Sequence, residues 1–175
     1  MPVPIIGAAA VGFVGGRTAR RLIDRHRENV DRRERVRDMV LDTLRDESGN
    51  SKLDWDEDGE LSVATGSAIA WISVIGTREL PAVLLRSVLL TDVALDPALL
   101  ARINEINMQL IFGTLVADGD DVCLSYSFVA DKLTKDELLL SLDLFLDGAD
   151  TWDTVLSSEF GGMTMKADGV DVFDA

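Results

Sequence analysis

Chemistry needs residues this chain scarcely has. It contains one cysteine, Cys123, and one histidine, His26. A lone cysteine excludes an internal disulfide framework and fits a reducing compartment. A lone histidine, placed among arginines in a helix-like stretch, leaves no second imidazole for a metal site or a general base. No Ser–His–Asp or Cys–His arrangement is suggested. The sequence therefore reads as non-enzymatic, with no catalytic residue, no metal and no cofactor. Positive charge is also scarce where a nucleic acid would need it. Residues 48–175 carry seven basic side chains against twenty-three acidic ones. A body near −16 repels phosphate, so nucleic acid is not an expected partner.

What is present suffices for one folded unit. The chain has 175 residues, 47% of them hydrophobic and 27% charged, enough for a single core with a soluble surface. Residues 1–16 form an apolar N-terminal segment, in which "VPIIGAAAVGFVGG" (3–16) carries no charge for fourteen residues. As a helix this run would span ~21 Å, short of the ~30 Å hydrocarbon core. Arg17, Arg20 and Arg21 follow it, the reverse of the charge order in a secretory signal. Three readings stay open: a weakly ordered terminus, attachment to an anionic membrane surface, or packing on a partner helix through Ala8, Gly12 and Gly16. Contact residues on the latter two readings are Ile5, Ile6, Phe13, Arg17, Arg20 and Arg21.

Residues 17–47 make an Arg-rich charged helix, expected to be long and to precede the domain. Its narrow apolar stripe includes Val36, Val40 and Leu44, and its other faces carry Arg–acid pairs three or four residues apart. "DWDEDGEL" (54–61) imitates the start of an EF-hand loop with Asp54, Asp56, Asp58 and Gly59. The twelfth position is Thr65 where a bidentate Glu belongs, so the segment is expected to be a hairpin turn, with Leu53 and Trp55 on the strand before it.

Strands are expected over 67–76 and 80–95. In the second, Val83, Leu85 and Leu89 share one face and Leu84, Val88 and Leu90 the other. Both faces are apolar, so a partner or another element, such as the N-terminal helix, is expected to cover the second. Asp96 and Pro97 open a helix with Leu99, Ile103 and Ile106 inside. A hairpin over 110–130 turns at Asp118-Gly119-Asp120. Thr134 and Glu137 form a capping box for a final helix, whose seam is Leu138, Leu142, Phe145, Ala149, Trp152 and Leu156. Residues 163–175 are an acidic flexible tail, mobile or a short strand at a sheet edge. The fold class is α+β, an antiparallel sheet packed with helices.

"LLARINEINMQLIFGTLVADGDDVCLSYSF" followed by "LTKDELLLSLDLFLDGADTWDTVLSSEFGG" resembles the YbjN-like family of bacterial proteins, which looks like the type III secretion chaperones in fold. The resemblance rests on Asn104 and Asn107 at a helix end, the small-turn hairpin, and a Leu-rich acidic helix ending Phe-Gly-Gly. The like region is assigned to 48–162. The resemblance implies helix, three-stranded meander, helix, hairpin and long C-terminal helix, with peptide or protein binding, often as a homodimer. The expected client site lies around Trp71, Leu85, Leu89 and Tyr126. The expected location is the cytoplasm. The alternative is an accessory or scaffold subunit of an envelope complex, held through its apolar N-terminus at the inner face of the cell membrane.

Overall fold

The computed structural model describes the backbone over residues 16–76, 80–165 and 171–172, and the side chains over 32–76 and 80–165. The elements run α1 (Gly16–Ser48), β1 (Glu60–Thr65), β2 (Ala68–Gly76), β3 (Pro81–Leu90), α2 (Pro97–Asn107), β4 (Thr114–Asp118), β5 (Asp121–Val129), α3 (Lys135–Phe160) and β6 (Asp171–Val172). The sheet order is β4-β5-β3-β2-β1-β6. The first five strands pair antiparallel, and the two residues of β6 lie parallel to β1 at its outer edge.

Side chains alternate across a strand, so the pairing register sorts the sheet into two faces. Leu61, Val63, Ala70, Ile72, Val74, Val83, Leu85, Leu115, Val122 and Leu124 point to the helices and are buried in one core cluster. Leu138, Leu142, Phe145, Leu146, Ala149 and Leu156 of α3, and Leu99, Ile103 and Ile106 of α2, close that core. Val36, Val40 and Leu44 of α1 join the same cluster. Over residues 32–48 the N-terminal helix therefore packs on the helix side and not on the opposite sheet face. α1 spans 33 residues, Gly16–Ser48, and its packing is described over 32–48.

Local grammar explains most boundaries. Asp96 caps α2 by accepting the Leu99 N–H at 2.8 Å, with Pro97 at the first helical position. At α3, Thr134 Oγ1 accepts the Glu137 N–H at 3.3 Å, and Glu137 Oε2 accepts the Thr134 N–H at 3.0 Å. Trp152 is only partly buried, and Asp153 takes the inward position beside it at 4% exposure. Its Oδ2 lies 2.9 Å from the Ser67 hydroxyl, which also reaches Asp150 Oδ1 at 2.7 Å, pinning the β1–β2 turn to α3. Gly66 in that turn has φ 56°, and a Cβ there would meet Asp150 Oδ1 at 2.8 Å. Only glycine fits.

Two expectations need correction. Residues 53–56 are not a strand: Leu53 is buried, Trp55 lies under the Arg37 guanidinium at 4.1 Å, and the chain turns tightly from Asp56 to Glu60. Secondly, β3 stops at Leu90, after a register shift between Val88 and Leu90. That bulge moves Leu90 opposite Val122, into the core, away from the Val88 face where strict alternation put it. Asp92, at φ 54°, then breaks the extended run.

Candidate functional site

The open sheet face carries an apolar surface that no helix covers among the described residues. Its register rows are Trp71–Arg86–Ser125, Ser73–Leu84–Ser127 and Val88–Cys123–Val116. Trp71, Leu84 and Val88 are half-buried, and Val116 is 43% exposed. Arg86 puts one positive charge in the middle of this face. Glu60, Trp71, Arg86 and Val88 line a depression of about 210 Å³, closed on one side by Met165 from the stretch after α3. Cys123 is buried there, and burial pushes its thiol above the ordinary value although Arg86 pulls it the other way. It is a packed, neutral thiol.

A second concavity lies on the helix side. Leu80, Tyr126, Phe128, Leu133, Glu137 and Ser141 are among the residues lining a groove of about 510 Å³. Its rings form a ladder, with Phe112 edge-on to Tyr126 at 5.8 Å and Tyr126 to Phe128 at 5.3 Å. The groove shares Asp131 and Leu133 with a smaller hollow of about 190 Å³ under α1, whose rim holds Arg32 and Arg35. Leu140 and Leu144 on α3 are 60% and 41% exposed.

The four residues expected to form a client site fall in three environments. Trp71 is on the open face. Leu85 and Leu89 are 0% and 1% exposed and belong to the core under the helices. They are corrected from surface to interior, because their strand parity points them at α3 instead of away from it. Tyr126 pairs with Leu85 and shares its face, but lies where the helices leave it half uncovered. Arg86 and Met165 were missed from sequence. The signal for Arg86 was available: it is the one charge inside an otherwise apolar strand. Ile5, Ile6 and Phe13 lie outside the described residues, as do the side chains of Arg17, Arg20 and Arg21.

The acidic turn is occupied with its own backbone. Asp56 Oδ1 accepts the N–H groups of Asp58 at 3.0 Å and Glu60 at 2.8 Å, while Asp54 Oδ1 accepts that of Trp55 at 2.9 Å. Among the described residues, no three His, Cys, Asp or Glu side chains converge as metal ligands, and no helix is long and apolar enough to cross a membrane.

Residues 34–168 match the family model described as T3SS (YopN, CesT) and YbjN peptide-binding chaperone 1. Among solved structures, the ExsC–ExsE complex is similar at a TM-score of 0.58 and 19% identity, over 70% of this chain and 94% of that one. The HopA1–SchA chaperone–effector complex gives 0.52 and 17%, over 66% and 91%. YbjN from E. coli gives 0.46 and 16%, over 68% and 91%. At these identities the likeness is one of fold. No curated protein matches the chain.

Proposed function

The chain belongs to the T3SS (YopN, CesT) and YbjN peptide-binding chaperone family, and from that membership we propose that it is a non-enzymatic module holding an extended segment of another protein on its open sheet face. One observation carries the reading: Trp71, Leu84 and Val88 form an apolar strip on a sheet face left without a helix among the described residues. An antiparallel sheet commonly turns one face to water, and that face is then polar. An apolar one suits another chain, which can lay alternate side chains on it or add to a strand edge. Arg86 would favour segments carrying carboxylates.

The test is fluorescence anisotropy with a panel of labelled peptides of alternating apolar and polar residues. Binding to the wild type, weakened tenfold or more (about 1.4 kcal/mol) by Val88→Asp or Trp71→Ala at unchanged melting temperature, supports the reading. Binding indifferent to both substitutions would move the site elsewhere, with the Tyr126–Phe128 groove next in line.

Self-association belongs to the same proposal. Met108 and Ile111 are 87% and 86% exposed, and Phe112 and Val116 lie near them by the β4 edge. Such a patch suits a second copy. Sedimentation should show a dimer that Met108→Glu with Ile111→Glu separates; a monomeric wild type removes this part.

The uncharged run 3–16, followed by three arginines, supports the alternative of contact with the inner face of the cell membrane. Full-length protein should then pellet with membranes, and a chain starting at Asp24 should not. If both stay soluble, the cytoplasmic binding module stands alone.

A further inference from the structure

The stretch after α3 returns to the open face and to the sheet edge beside it. After α3, Gly161 and Gly162 reverse the chain with φ of 72° and 84°, and a Cβ on Gly162 would lie 3.0 Å from the Thr91 carbonyl oxygen. That close approach lets Met163 pair with Thr91 in both directions: Thr91 N–H donates to the Met163 carbonyl at 2.8 Å, and Met163 N–H to the Thr91 carbonyl at 3.0 Å. Two residues on, Met165 lines the same depression as Trp71, Arg86 and Val88. Asp171 and Val172 then lie beside Val63 and Ala64 on the outer edge of β1. Without β6, β1 would be an open edge.

We infer that Met163–Met165 and Asp171–Val172 are an internal occupant of the client site, so that a client binds by displacing them and shares their chemistry. This rests on the proposed use of the open face. The residues reach both features by which an extended partner would be held: Met165 lines the depression at the apolar strip, and β6 pairs with the edge of β1. Sequence reinforces the match in kind. "MTM" at 163–165 places methionines at alternate positions, and "VDVFD" at 170–174 sets acids between apolar residues. A methionine is an adaptable filler for a pocket that must also accept other side chains. The expected ligand is therefore an extended acidic–apolar segment, with apolar side chains two apart for the Trp71–Val88 depression and a carboxylate near Arg86.

Internal occupancy has a quantitative signature. When only a fraction of molecules has the site free, the apparent dissociation constant rises by the inverse of that fraction. Releasing β6 should thus tighten binding without any new contact. Successive strand N–H groups point to opposite sides, so Asp171→Pro with Val172→Pro removes whichever one faces β1.

The experiment uses the full-length chain, wild type and this double variant, with equal melting temperature and near-UV circular dichroism as the folding control. One probe is a labelled peptide of residues 163–175; the other is any binder from the peptide panel. Both should bind the variant about tenfold or more tighter than the wild type. In the absence of ligand, hydrogen exchange along β1 should be faster in the variant. Equal affinities overturn the inference while leaving the proposed function intact. If no peptide binds either protein, the proposed function falls, and exchange decides the remainder: unchanged protection of β1 overturns occupancy of the edge, and lost protection supports it.

Discussion

The side-chain amide of Asn107 holds both backbone polar groups of Leu115. Its Oδ1 accepts the Leu115 N–H at 2.7 Å, and its Nδ2 donates to the Leu115 carbonyl at 3.1 Å. Leu115 is on β4, the strand at the far edge of the sheet, so the amide stands where a neighbouring strand would pair. The last residue of α2 thus fixes the position of β4 and blunts its edge.

Asn107→Ala should therefore destabilise the fold by about 1–3 kcal/mol, because a part-buried N–H and carbonyl lose their partners together. Asn107→Asp keeps the acceptor and loses the donor, so it should fall between. Urea denaturation of the three proteins checks the order. Equal midpoints for Asn107→Ala and wild type would show that water serves Leu115 equally well.

Phe145 is 2% exposed at the centre of the α3 seam. Phe145→Ala should cost about 3–5 kcal/mol, a transfer loss plus a cavity under the sheet. Leu140→Ala, on the same helix but 60% exposed, should change stability far less. If the two substitutions shift the unfolding midpoint alike, α3 does not pack by the face described.

The folded unit is proposed to include the second half of α1. Val40 and Leu44 are fully buried in the same cluster as the sheet and α3 residues, and Lys135 Nζ reaches Asp46 Oδ2 at 2.7 Å. Limited proteolysis should leave a resistant fragment that begins before Val36. A stable fragment starting near residue 48 would show that α1 is dispensable.

Acid should loosen the start of α3 first. Glu137 is held below the ordinary glutamate range by hydrogen bonds from the Thr134 N–H and hydroxyl. A carboxylate with a depressed folded value adds stability that is fully present above its unfolded value. That stability is lost as pH falls through the folded value. An NMR titration should place Glu137 below the ordinary glutamate value, and Glu137→Gln should flatten the acid limb of unfolding. A Glu137 midpoint at the ordinary glutamate value would contradict the capping box.

Much of the fold was legible because its signals are local. Asp96-Pro97, Thr134-x-x-Glu137 and Phe160-Gly161-Gly162 mark helix ends through hydrogen bonds that span only a few residues. The stripes on α2 and α3 follow from a fixed period. The sense of each face was not legible. Val83 and Leu85 could be separated from Leu84 and Val88 by alternation, but alternation does not say which set meets the helices. That depends on where α1 and α3 dock, a contact between residues far apart in sequence. For the same reason Leu85 and Leu89 read as a client surface and proved to be core. Chain order also could not reveal that Val88 begins a bulge, since a bulge is defined by the partner strand.

The sequence by itself determined the class of this protein: an acidic, cysteine-poor α+β domain, capped and patterned for helices beside an antiparallel sheet. Only the tertiary structure decided that Trp71, Arg86 and Val88 meet on one open face, that Met165 lines the same depression, and that β6 pairs at the outer edge of β1. The physical reason is that a surface is made by neighbours in space. Residues 86 and 88 share a strand period, but no period or motif ties them to 71 or 165, and strand pairing together with the Gly161-Gly162 reversal brings them together.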